Sequence, residues 1–299
     1  MNEEFAIDPE ACESGAEFRL LLGQFGPLVG RYAARFPSSW MARTAEIIDR
    51  WPDGLSKVAA RQALLRAKES GVFVRSGGRD WAPALDWPDN VRAVQRSKAP
   101  FAGVVARRAL AHEYPTLETF DPRPSGEAFV EPTARGLAEP ARLLIEMGPE
   151  IAIVDPYFDP SRKGNAAVLR ALLAYGATSR TCASFFIWTL AKHVLERNSR
   201  ADLEQALEVA SKASGFYPKP IAISLVDDSS LDAQEGLAIR FHSRYLITMR
   251  GALRYDAGFR AEGRAKVEVS VVGPGTHAGL VSLYLGTAEP PRRAIEIRD

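Results

Sequence analysis

The apolar positions of the first hundred residues recur at helical spacing. Three helices are expected, over 16–35, 40–51 and 56–70. The third is the most regular. Ala60, Ala63, Leu64 and Ala67 share one face, Ser56 can cap its start, and Gly71 stands just past its end. Lys57, Arg61 and Lys68 fall on the opposite face. A short β-prone run follows, Val72-Phe73-Val74-Arg75, and then the turn-like Ser76-Gly77-Gly78-Arg79-Asp80. Between 113 and 140 no period is sustained, and Pro115, Pro122, Pro124, Pro132 and Pro140 predict a linker.

Beyond it, strand and helix signals alternate. Strands are expected at Glu150–Val154, Cys182–Trp188, Ile221–Val226, Arg240–Thr248 and Val267–Val272, with helices over 164–175 and 201–214. Gly251 marks a hairpin turn before Leu253–Tyr255. This order predicts an α/β domain, a mixed sheet with helices on both faces. The expected organisation is therefore a mainly helical domain over 16–112, a linker over 113–140 and an α/β domain over 141–299.

Composition adds little until charge is resolved along the chain. The 299 residues are 46% hydrophobic and 25% charged, as in ordinary globular proteins. The net charge of +1 conceals an asymmetry. Residues 1–19 carry six acids and one base, whereas residues 20–110 carry fifteen Lys/Arg against seven Asp/Glu. A basic block of this length fits a polyanionic partner, and it equally fits an arginine-rich solvated surface. No run reaches the ~18 apolar residues of a membrane span, and the acidic start lacks the order of a secretory signal. The two cysteines, Cys12 and Cys182, follow no metal or redox spacing. A cytoplasmic protein with reduced thiols and no membrane association is expected.

Helix, helix and a glycine-tipped run of strand residues is the order found in winged helix-turn-helix domains, and Ala60–Arg75 resembles their recognition helix and first wing strand. The resemblance implies nucleic-acid contacts from Lys57, Arg61 and Lys68 in a major groove, with Arg75 and Arg79 on backbone phosphates. The same pattern also suits a protein-contact module or a solvated helix.

The chemistry-bearing residues gather at strand ends of the second domain. Asp155 and Tyr157 follow the first strand, Asp227 and Asp228 the third. His242 stands among apolar residues, and period two puts its side chain on the same face as that of Arg244. An imidazole beside a guanidinium can attack or protonate while holding a phosphate. His277, in the loop-like Gly273-Pro274-Gly275-Thr276-His277, is a candidate second acid–base group or a turn residue. His193 reads as a solvated helix residue.

Three pieces carry a further resemblance: Asp155-Pro156-Tyr157-Phe158, Phe241-His242-Ser243-Arg244-Tyr245-Leu246 and Gly258-Phe259. In order and spacing they resemble a subgroup of the phospholipase D superfamily. The resemblance implies a histidine nucleophile at His242, charge stabilisation by Arg244, and phosphate or substrate contacts from Asp155, Tyr157, Gly258 and His277. It also implies a metal-independent phosphodiesterase with no organic cofactor, here a nuclease. With a single His-x-basic element, such an enzyme would be a homodimer with His242 facing its copy. The chain departs from the family in three ways. Arg244 replaces the usual lysine, Met249 occupies the position of the motif aspartate, and no serine follows Gly258. Two functions stay open on the sequence: a homodimeric nuclease, or an inactive phospholipase D-like scaffold that binds DNA or protein partners in a multi-subunit machine such as a bacterial defence system.

Overall fold

The computed structural model describes residues 3–75, 78–121, 126–227, 243–286 and 294–297, the last stretch by its backbone only. The chain divides into two compact units, Met1–Ser125 and Gly126–Asp299.

The first unit is built on four short strands: β1 (Glu3–Ile7), β2 (Arg31–Arg35), β3 (Phe73–Arg75) and β4 (Gly103–Val105). They lie in the order β3-β2-β1-β4, and every pairing is parallel. Its helices are α1 (Gly15–Leu22), α2 (Trp40–Asp49), α3 (Leu55–Glu69) and α4 (Trp87–Gln95). Alternation along the strands sorts side chains into two cores. Phe5, Ile7, Ala33 and Val105 pack with Phe18, Leu21, Trp40, Ala60 and Leu64 of α1, α2 and α3. Ala6, Ala34 and Val104 pack with Trp87, Val91 and Val94 of α4. Two buried indoles tie helices to the sheet: Trp40 donates to the Ile7 carbonyl at 2.5 Å and Trp87 to the Phe36 carbonyl at 3.1 Å.

This unit is α/β, and it corrects the mainly helical winged-helix expectation. Phe73–Arg75 does not turn back into a wing hairpin; Phe73, Val74 and Arg75 pair in parallel with Ala33, Ala34 and Arg35. The helix expected over 16–35 stops at Gly23. Gly26 and Gly30 adopt φ of 136° and 68°, which break it, and Arg31–Arg35 is a strand. Ala33 and Ala34 favour helices in isolation, but here both are buried within a layered sheet, and tertiary packing overrides propensity. The strand β1, central in the sheet, precedes the expected domain start at 16.

Among the described residues the second unit holds eight strands: β5 (Glu127–Val130), β6 (Glu150–Val154), β7 (Ser184–Leu190), β8 (Ile221–Val226), β9 (Arg244–Thr248), β10 (Ala252–Tyr255), β11 (Val267–Val271) and β12 (Ala294–Ile297). Their order is β12-β8-β7-β6-β9-β10-β11-β5. β6, β7 and β8 run parallel, and the remaining pairings are antiparallel. The mixed sheet read from the sequence is therefore present. Its helices are α5 (Ala134–Ala138), α6 (Arg142–Met147), α7 (Lys163–Thr178), α8 (Ala191–Leu195), α9 (Arg200–Ser214) and α10 (Pro274–Tyr284). Leu280 and Tyr284 of α10 pack with Ala152, Val154, Val226, Tyr245 and Ile247. α7 approaches the sheet at Gly176, where a Cβ would stand 2.8 Å from the Phe185 ring. Ser199 and Asp202 close a capping box at the start of α9, and Gly215 ends it with φ 74°.

The stretch expected as a linker, 113–140, is largely structured. Leu117 and Phe120 pack on the first unit's core, where Phe120 stacks on Phe25. Glu127–Val130 forms the edge strand β5, paired with β11. Pro132 and Pro140 punctuate elements rather than mark their absence. Among the described residues no helix is long and apolar enough to cross a membrane.

Both cysteines are free and buried, and burial pushes the Cys12 thiol up to about 12 and that of Cys182 to about 11. The thiolate is the reactive form. At about pH 8, a disulfide-exchange reagent should leave both thiols unlabelled in the folded protein and label both in guanidinium. Rapid labelling of either in the native state would contradict this packing.

Candidate functional site

The described residues of the three sequence pieces that carry the phospholipase D resemblance converge at one end of the second unit's sheet. Parallel β6 ends in Val154 and leads into Asp155. Antiparallel β9 begins there, with Tyr245 opposite Val154. β10 returns to the same end, with Tyr255 opposite Arg244, and runs on to Gly258. Carboxyl ends of parallel strands are where such sheets place ligands.

Asp155 is buried at the centre of the junction. Its Oδ1 accepts the Tyr157 amide at 3.0 Å, which folds the chain back after β6. Its Oδ2 accepts the Phe259 amide at 3.1 Å, which ties the loop after β10 to β6. The Arg244 Nε stands 3.9 Å from Oδ1, too far for a tight pair. Burial raises the carboxyl above its ordinary range, against the pull of the two amides and the guanidinium. Gly258 closes the junction with φ 79°. A Cβ there would lie 2.6 Å from Asp155 Oδ2 and 3.1 Å from Arg244 Cδ, so both backbone and space call for glycine.

Arg244 donates from Nη1 to the Asp256 carbonyl at 2.8 Å, and its guanidinium lies 5.5 Å from the centroid of the Tyr157 ring. Among the described residues its Nη2 has no partner, and the side chain is a quarter exposed. Tyr157 is half exposed and also meets His193, ring centroids 4.7 Å apart. His193 sits in α8, directly after β7, so the neighbouring strand end delivers it to the cluster. It is thus not merely a solvated helix residue. The usable signal was its position three residues past a parallel strand.

His242, together with Phe241 and Asp228, lies outside the described residues. His277 does not join the cluster. It belongs to the first turn of α10, is buried, and bonds through Nε2 to the Thr248 carbonyl at 2.9 Å. Thr248 ends the strand that Arg244 begins, roughly 13 Å away at the rise of an extended chain. His277 is therefore a core histidine rather than a phosphate ligand, because proline and glycine before it start a helix, not a loop. Met249, at the family's aspartate position, is exposed in the turn at that same remote end. Asp155 is the carboxylate that stands beside Arg244 instead. Among the described residues no group of three or more His, Cys, Asp or Glu could hold a metal ion.

The residues expected to touch nucleic acid are mostly engaged within the first unit. Lys57 donates to the Asp49 carbonyl at 2.7 Å and to Asp53 Oδ1 at 2.9 Å. Arg61 holds Asp49 Oδ1 at 2.5 Å. Arg79 pairs with Glu4, donates to the Ala99 carbonyl at 2.8 Å and covers the Phe101 ring, with both charged side chains 9% exposed. Arg79 is thus a packed structural cation, not a wing-tip contact. Lys68 and Arg75 are exposed. The acidic N-terminal stretch supplies further partners. Arg107 meets Asp8 and Glu10, and Arg108 meets Glu13, Glu17 and Glu118. Five of the six N-terminal acids thus meet three arginines of the basic block.

Set beside known proteins, the chain matches no family model, no curated protein and no solved structure.

Two stability predictions follow from these contacts. Gly258→Ala should lower unfolding free energy by about 1–3 kcal/mol, through the positive φ and the contact with Asp155. Gly126→Ala, where a Cβ meets open space, should leave it within about 0.5 kcal/mol; equal denaturant midpoints for the two variants would refute the assignment. Arg79→Gln, which removes a buried ion-pair partner of Glu4, should cost about 3 kcal/mol. Lys68→Gln and Arg75→Gln should each shift stability by less than about 0.5 kcal/mol in the same unfolding experiment.

Proposed function

We propose that the second unit is a phospholipase D-like domain that receives a phosphodiester of nucleic acid at Arg244. The observation that supports this reading is the meeting of Asp155, Arg244 and Gly258, drawn from three separate pieces of sequence. A buried carboxylate holds the strand ends, and beside it stands a quarter-exposed guanidinium whose Nη2 has no partner among the described residues. Guanidinium groups bind phosphate oxygens through paired N–H donors.

In the active form of this reading, His242 attacks phosphorus as the nucleophile and the O–P bond to the leaving alcohol breaks. Arg244 stabilises charge on the non-bridging oxygens as it builds up. The leaving oxygen needs a proton. Either His242 of a second subunit across a two-fold axis supplies it, as the family resemblance implies, or His193 does so from the same chain. Water then hydrolyses the phosphohistidine. The second reading keeps phosphate binding without turnover. Met249 at the motif aspartate position and the engagement of Arg244 by the Asp256 carbonyl favour it.

Fluorescein-labelled single-stranded and duplex oligonucleotides, incubated with the protein in chelator, separate the outcomes. Cleavage that is abolished by His242→Ala supports the enzyme, and loss of that cleavage in His193→Gln assigns the proton donor to the same chain. Binding without cleavage, weakened about tenfold or more by Arg244→Gln and falling steeply with salt, supports the binding module. Neither binding nor cleavage, or either one indifferent to Arg244→Gln, overturns the proposal.

A further inference from the structure

The first unit carries a groove that the candidate site does not use. α1 and α3 touch at their N-terminal ends, where the Gly15 amide donates to Ser56 Oγ at 2.8 Å and a Cβ on Gly15 would collide with the Ser56 carbonyl. Toward their C-terminal ends lies an open groove of about 370 Å³. Its walls are apolar, from Leu22, Phe25, Ala63 and Val72, and Arg19 of α1 and Arg66 of α3 also line it.

Two observations bear on what fills it. The first is charge. Arg61, Arg79, Arg107 and Arg108 are all neutralised by carboxylates of this unit. The side chains of Arg19 and Arg66 have no ion pair or hydrogen bond among the described residues. The nearest acids in sequence to Arg19, Glu13 and Glu17, are committed to Arg108. The second is the apolar surface beside the groove. Leu20 of α1 is 58% exposed, and Leu55, Val58 and Leu65 of α3 are 89%, 50% and 59% exposed. Spacings of three and seven residues place the last three on one stripe of the helix. Together with Leu20, this surface extends past anything a small ligand in the groove could cover. Nucleic acid would use the guanidinium groups but would leave the leucines in water. Exposed apolar surface of this kind marks protein contacts, and a groove between helices accepts an amphipathic helix laid along it.

We propose that the α1–α3 groove docks an acidic amphipathic helix of a partner protein. One large apolar side chain would enter the groove over Ala63, its neighbours would cover Val58 and Leu65, and flanking carboxylates would meet Arg19 and Arg66.

The test uses the full-length protein and a fluorescein-labelled synthetic helix of about four turns, long enough to span α3. Leucines stand at positions i, i+3 and i+7, with glutamates flanking them. A second peptide has lysine for every glutamate. Saturable binding of the acidic peptide, read by anisotropy, is expected, weaker by about tenfold or more with the lysine peptide and in both Arg19→Glu and Arg66→Glu. Both substitutions are on exposed positions, so circular dichroism should stay unchanged and separate lost binding from lost fold. A restored affinity of Arg66→Glu for the lysine peptide would support the charge pairing directly. Absence of saturable binding, equal affinity for both peptides, indifference to Arg19→Glu and Arg66→Glu, or displacement of the peptide by a DNA duplex would overturn the proposal.

Discussion

The second unit depends on one buried carboxylate. Asp155 sits where β6 ends, and its two oxygens accept amides from residues two and 104 positions away in sequence. Without it, the loop after β10 would have no anchor on the central strand, and Arg244 would lose the anion that helps to hold its stem. Burying a charge in this way is costly, and the raised pKa expresses the cost. Two backbone donors and a nearby guanidinium offset it only in part. Groups held in such tension collect at functional sites more often than in ordinary cores.

The first unit solves a different problem. Its sheet is small and parallel, so helices cover both faces, and arginines stand in the segments that follow β3 and β4. The N-terminal acids answer this. Glu4 and Asp8 enter the fold as buried partners of Arg79 and Arg107. Glu10, Glu13 and Glu17 lie further out on the same arginine-rich surface. A run that reads as an acidic tail is therefore part of the sheet and of its electrostatic balance.

How much was legible follows from this contrast. Strands β6, β7 and β8 announced themselves as apolar runs because both faces of the parallel part of the large sheet are covered, α7 carried a clear period, and α9 carried a period and a capping box. β1 was hidden because Glu-Glu-Phe-Ala-Ile looks charged when its pairing partners are unseen. β2 was hidden because alanines favour helices until burial decides otherwise. The site was legible in part. Asp155, Tyr157, Arg244 and Gly258 do gather, since a motif encodes local geometry that pairing then brings together. His193 was missed because its contact with Tyr157 arises only from the adjacency of β6 and β7. His277 was misplaced because Gly-Pro-Gly suggests a loop, whereas proline near the start of a helix is equally well accommodated.

The strand at the far border of the large sheet has a consequence of its own. β8 is buried at every position, Ile-Ala-Ile-Ser-Leu-Val, and β12 pairs with it antiparallel from Ile221 to Ser224. Among the described residues, those four are all that separates β8 from an open border of unpaired amides and carbonyls flanked by aliphatic side chains. Bared, that border would template a copy of itself in another molecule, strand against strand. The four-residue segment from Ala294 to Ile297 thus acts as a selvedge: what it adds in mass is small, but it decides whether the woven sheet stays single or joins its neighbours.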